Sequence, residues 1–184
     1  MMAKVMKGAA SISLLITVLF AAVYFLGFHW AMSFAITFGT CFYHFAMRLL
    51  VGQIIHRKMQ NKAAYYKAWY QLRPFEHKLY RLLKVKSWKG KMPTYDPDVF
   101  DPRIHSWEEI TQAMCQAEIV HEVIAALSFL PLLAAIPFGA FSVFFITSLL
   151  AALYDLSFVI MQRYNRPRIL KLLQIAKTRP ERNR

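Results

Sequence analysis

A chain of 184 residues is long enough for one domain, but 57% apolar residues with 15% aromatics is too hydrophobic for an ordinary soluble one. The net charge of +13 would suit nucleic acid, yet the basic residues flank apolar segments, where anionic lipid headgroups are the nearer partner. Cysteines are confined to Cys41 and Cys115, which excludes a disulfide framework and a zinc-ligand spacing.

From Gly8 to Phe28 there is no charged residue, longer than the roughly 20 residues a helix needs to cross about 30 Å of hydrocarbon. Lys4 and Lys7 ahead of this stretch also fit a signal peptide. The stretch is long, however, and runs almost directly into a second apolar block, so it reads as a retained helix over about 9–28. A second helix follows over about 31–54, after a tight turn at Gly27, His29 and Trp30 in an aromatic belt. It ends in His56, Arg57 and Lys58, which returns the chain to the side of Lys4 and Lys7.

The segment 57–117 is basic and aromatic. Within it Trp69, Leu72, Phe75, Leu79, Tyr80 and Leu83 recur at three- and four-residue spacing beside Lys67, Arg73, Lys78, Arg81 and Lys84. That pattern fits an amphipathic helix lying on the bilayer and broken at Pro74. Lys91 to Pro102 carries Pro93 and Pro97 among Asp96, Asp98 and Asp101 and reads as a loop.

A third helix starts near Ser106, with Glu108 and Glu109 in its first turn, and becomes apolar near Val120, with Pro131 as a kink. From Val123 to Tyr154 there is again no Asp, Glu, Lys or Arg. As one helix this block would extend about 48 Å, well past the hydrocarbon core; a hairpin at Pro137, Phe138 and Gly139 divides it into spans of about 119–136 and 140–162. A basic tail, 163–184, follows. The expectation is an all-α polytopic protein, a single membrane domain over 1–184. It has four transmembrane helices, an interfacial amphipathic cytoplasmic segment, and both termini on the cytoplasmic side of the cell membrane.

Ionisable residues in or at the edge of membrane helices are costly and are the first place to look for function. His44 and Arg48 are four apart on the second helix; Glu118, His121 and Glu122 share a face of the third; Asp155 lies in the fourth, which Arg163, Arg166 and Arg168 close. Each pair alone fits a structural role in helix packing, and Arg48 can snorkel to headgroups. Together, their cytoplasmic positions allow a shared pocket.

The string Gln162-Arg163-Tyr164-Asn165-Arg166-Pro167-Arg168, followed by Leu170, Leu172 and Leu173, resembles the C-terminus of the glycosyl-diaponeurosporenoate acyltransferases. These are the small membrane enzymes that complete staphyloxanthin. Two further stretches match in order: Ala117-Glu118 with His121 before an apolar span, and Phe75-Glu76 leading to Lys86-Ser87-Trp88-Lys89 and Lys91. The resemblance covers roughly the C-terminal two-thirds and implies fatty acyl transfer to a hydroxyl of a glycosylated carotenoid or related glycolipid.

Under that implied reaction His121 is the natural general base, and Glu118, one turn earlier, is expected to hold the imidazole. Arg163, Arg166 and Arg168, with Asn165, would neutralise the developing oxyanion and donor phosphates; His44, Arg48 and Asp155 complete the expected substrate-binding set. Lys86, Lys89 and Lys91 can bind phosphate or simply face anionic lipid. Cys115 shares a face with Glu118 and Glu122 and offers a competing covalent route. His44, His121 and Glu118 would make a three-ligand metal site, although the preferred reading has no metal and no bound cofactor. The acyl donor, a coenzyme A thioester or another, is then a co-substrate, and the partners are membrane lipids and the glycosylated acceptor, not nucleic acid. The alternative from another class is a non-catalytic scaffold or lipid-binding protein.

Overall fold

The computed structural model describes residues 2–178, which are mostly helical with no strand among them. α1 (Met2–Phe25) and α2 (Ala31–Met59) form the first hairpin. Gly27 turns it at φ +100°, a conformation that side chains with a Cβ disfavour. Phe20 stacks on Phe34 at 4.9 Å, and Gly39 faces Thr17 across the same seam.

After α2 the chain makes a turn in which Gln60 and Asn61 are both left-handed. It continues through a 3-10 turn (Ala68–Tyr70) to α3 (Pro74–Leu82), which begins on its proline, then α4 (Val85–Trp88) and a 3-10 turn (Lys89–Lys91). Pro at the first position costs nothing because that amide has no helical partner. The second hairpin is α5 (Trp107–Leu127), a 3-10 stretch (Leu130–Ala134), α6 (Ala135–Phe138) and α7 (Phe141–Thr178). Ser106 caps α5, exchanging hydrogen bonds with Glu109 as a capping box does. Four stretches are long and apolar enough to cross a membrane: Ala3–Phe25, Ala31–Met59, Trp107–Phe138 and Phe141–Thr178.

The element order and the two hairpins agree with the sequence reading, but the helices overrun its limits. α1 already holds Lys4 and Lys7, α2 runs on to Met59, and α7 passes through Pro167 to Thr178. The expected tail 163–184 is therefore helical as far as Thr178, and 179–184 lie outside the described residues. Hydropathy marks where hydrocarbon ends; Lys, Arg and Gln are good helix formers and carry the helix past that limit. Pro131 turns the end of the third span into 3-10 geometry rather than only bending it.

Burial is inverted relative to a soluble protein. The largest fully buried side chains include Arg166, Glu118, Thr111 and Asp155, whereas Leu15, Leu19, Phe25, Ile136, Val143 and Leu150 are exposed. Apolar residues coat the outside and polar ones join the helices, the distribution a lipid solvent favours. α2 meets α5 through Met47, Val51 and Ile124 and through the Tyr43 hydroxyl, which donates to the Leu127 carbonyl at 2.8 Å. α3 buries Glu76 and Tyr80 and leaves Phe75, Leu79, Leu82 and Leu83 exposed, an apolar face suited to the bilayer surface.

Candidate functional site

No Asp, Glu, Lys or Arg occurs from Gly8 through Met47 or from Val123 to Tyr154; Arg48 follows the first stretch, and Glu122 and Asp155 bound the second, with His121 beside Glu122. Helix packing brings Arg48, His121 and Asp155 together. Arg48 Nη2 lies 2.5 Å from Asp155 Oδ2, and His121 Nδ1 is 2.9 Å from Asp155 Oδ1. Asp155 is 1% exposed and bonds Arg48 through Oδ2 and the imidazole through Oδ1. With Nδ1 as the donor in the neutral ring, Nε2 carries the lone pair and has no partner among the described residues. His121 stacks on Phe158, centroids 4.4 Å apart, and stays 23% exposed.

Glu118 was expected to hold His121, and Asp155 does so instead. One turn back along α5, Glu118 is 0% exposed; its Oε1 accepts from Arg163 Nη1 at 2.6 Å and its Oε2 from Arg166 Nη2. On the helix His121 points about 60° away from Glu118, toward α2 and the upper part of α7, whereas Glu118 faces the end of α7.

Arg163 was expected to bind substrate, but all five of its N–H donors are engaged. Nε and Nη2 grip the two Glu76 oxygens at 2.6 and 2.9 Å. Nη1 also donates to the Trp69 carbonyl at 2.9 Å and Nη2 to the Gln71 carbonyl at 3.0 Å. Arg166 is 1% exposed, donates to the Tyr70 carbonyl at 2.7 Å and covers the Tyr70 ring. Both arginines therefore clamp the 68–76 segment onto α5 and α7, and their donors are spent chiefly on that clamp.

Glu76 completes the clamp and was not among the expected site residues. It is the one acidic residue between Arg57 and Tyr95, and that isolation in a basic stretch was the available signal. Burial pushes its carboxyl up, but hydrogen bonds from Arg163, the Arg73 amide and Tyr80 outweigh this and hold it at about 2. Burial and then the bond to Glu76 raise the Tyr80 hydroxyl. Because the folded carboxyl titrates below its unperturbed 4.5, its stabilisation is complete above about pH 5 and is lost as pH falls toward 2. The unfolding midpoint is expected to drop across that window, and Glu76→Gln to lower stability at neutral pH and flatten the acid slope; an unchanged slope would remove Glu76 from the clamp.

The remaining expected residues are dispersed. His44 lies one turn before Arg48 and makes no side-chain hydrogen bond through either ring nitrogen among the described residues; its carbonyl accepts from Arg48 Nη1 at 3.0 Å. Asn165 accepts from Lys89, and Arg168 stacks on Tyr164. Cys115 is completely buried, so no donor reaches its sulfur for covalent transfer. His44, His121 and Glu118 have separate surroundings, and among the described residues no three His, Cys, Asp or Glu side chains form a metal-binding group.

Beside the clamp is a cavity of about 190 Å³ lined by Trp69, Arg73, Phe75, Glu76, Glu122 and Arg163. Glu76 and Arg163 pair with each other there, and Glu122 lines the same cavity beside Trp69 without an ion-pair partner among the described residues. Two carboxyl groups and two guanidinium groups line this wall, a mixed polar surface that suits a neutral hydroxyl-bearing group.

No curated protein and no solved structure matches the chain. The family model for glycosyl-4,4'-diaponeurosporenoate acyltransferase matches residues 66–175, a stretch that begins just before the clamp segment and takes in α3, α5, the dyad of His121 and Asp155, and most of α7. With more than half of its length matched, and with the ion clamp and the dyad both inside the match, the chain belongs to the glycosyl-4,4'-diaponeurosporenoate acyltransferase family.

Proposed function

We propose that this membrane acyltransferase moves a fatty acyl group from an activated donor to a hydroxyl of a glycosylated carotenoid or related glycolipid. The reaction takes place at the cytoplasmic leaflet of the cell membrane, which the chain crosses four times with both termini in the cytoplasm. The orientation follows from charge. Lys4 and Lys7, the Arg57 and Lys58 end of α2, the basic segment to Lys91 and the end of α7 all belong on one side, and short Lys- and Arg-rich segments stay in the cytoplasm. The partners are membrane lipids, donor and glycolipid acceptor. No resident cofactor is required, because the donor enters as a co-substrate.

The observation that carries the reading is the bond from His121 Nδ1 to Asp155 at 2.9 Å, with Nε2 left free at the boundary of the charge-free spans. In the reaction the acceptor hydroxyl gives its proton to Nε2 while its oxygen attacks the acyl carbonyl. The bond to the donor's leaving group then breaks, and the imidazolium returns the proton to that group. Asp155 holds the tautomer and stabilises the cation, the role first expected of Glu118. A scaffold would need the same ion pairs but no unpaired ring nitrogen in an accessible histidine.

A second reading is favoured by the cavity, which Glu122 lines and His121 does not: Glu122 is then the base and His121 a packing residue. Lipid extracts from cells with and without the chain decide the function. An added species heavier by one acyl unit is expected with it, and identical lipidomes would defeat the enzyme reading. His121→Asn and Glu122→Gln compared in that assay separate the two bases, since the true base abolishes the product and the other residue only reduces it.

A further inference from the structure

The strap from Val85 to Lys91 lies against α7, anchored by the fully buried Val85. Lys89 Nζ donates to Asn165 Oδ1 and stands 5.0 Å from the centroid of the Tyr164 ring. Arg168 approaches the same ring at 4.8 Å, and its Nη2 bonds the Tyr164 hydroxyl at 3.0 Å. Among the described residues neither cation has a carboxylate partner. Burial, and after it the charge on Arg168, hold the Lys89 ammonium below the usual lysine range. Two cations gathered on one ring without a counter-charge repel each other until an anion joins them. Beyond Lys89 the strap continues up α7, where Met92 Sδ meets Ser157 Oγ at 3.9 Å, next to the Phe158 that stacks on His121.

We propose that Lys89, Arg168 and Asn165, arranged on Tyr164, bind the phosphate of the acyl donor, and that this donor is a phosphopantetheine thioester rather than a phospholipid. The inference rests on His121 as the reacting end, and the donor class follows from reach. Asn165 and Asp155 are ten residues apart on α7, about 15 Å along the helix axis and roughly 80° apart around it. A phospholipid places about five bonds between phosphorus and ester carbonyl, roughly 6 Å when extended at about 1.2 Å per bond. A pantetheine arm places about fourteen bonds between phosphorus and thioester carbonyl, roughly 17 Å. Only the second spans the distance from the cation pair to the dyad.

The full chain in phosphatidylcholine nanodiscs, titrated with coenzyme A, tests this. Lys89→Met and Arg168→Gln are each expected to weaken binding about tenfold or more, the worth of a charge-assisted hydrogen bond. Lys78→Gln removes an exposed cation outside the cluster and is expected to bind as the wild type does. Arg168 is exposed, so its replacement leaves the fold intact even if Lys89→Met does not. Equal affinity in all these proteins overturns the site. If both cluster variants keep coenzyme A affinity but lose retention of phosphatidylglycerol added to the nanodiscs, the cluster is a lipid headgroup site and the proposal falls. His121→Asn is expected to bind coenzyme A normally and transfer nothing; transfer in that variant defeats the base assignment and leaves the anion site standing or falling on its own titration.

Discussion

Glu118→Gln is expected to cost about 3–5 kcal/mol, the usual penalty for removing one partner of a buried ion network, and to lower accumulation of the protein in the membrane. Glu118 is 0% exposed and neutralises Arg163 and Arg166 together, at 2.6 Å for the first. A neutral amide of the same shape would leave Arg166, itself 1% exposed, facing no carboxylate. Arg163 would keep Glu76, so half of the clamp survives, and the 68–76 segment is expected to loosen before the spans separate. Protease accessibility of that segment and the thermal unfolding midpoint measure this. A Glu118→Gln protein that accumulates, melts as the wild type does and fails only in transfer would show that Glu118 acts on substrate and not on the fold.

His121→Asn has the opposite profile. The side chain leaves the Arg48–Asp155 pair in place and removes a ring that is 23% exposed, so the fold is expected to persist. Loss of a general base costs about 10²–10⁴-fold in rate. Asp155→Asn is expected to approach a similar loss, because the amide no longer fixes Nδ1 as the donor, with some destabilisation from the unpaired Arg48. Transfer rates with circular dichroism on the same preparations separate these effects. If His121→Asn retains near-normal transfer, the dyad is structural and attention moves to Glu122.

The contrast between Glu118 and His121 shows how far residue spacing reaches. Three- and four-residue spacing placed Cys115, Glu118 and Glu122 along one side of a helix, with His121 close to them. It did not reveal what stands opposite each one. Asp155 holds His121 from 34 positions away, and Glu76 reaches Arg163 from 87. Arg163, Arg166 and Arg168 form a short basic run in sequence, but the first two are consumed by Glu118, Glu76 and backbone carbonyls, and Arg168 stays free at a tyrosine face.

Sequence by itself determined the solvent. Stretches without charge, from Gly8 to Phe28 and from Val123 to Tyr154, are a local property of the chain, and the need to satisfy every backbone group in lipid then dictates helices, paired as two hairpins. It also marked where charge returns, because Arg48 follows the first hairpin's charge-free run through Met47, and Glu122 and Asp155 bound the second block, with His121 beside Glu122. Tertiary packing alone decided which charges are spent on holding helices together and which keep a free lone pair or donor. Ion pairing depends on distances of a few ångströms between residues on different helices, set by helix rotation and side-chain direction, and a one-dimensional pattern does not contain those angles.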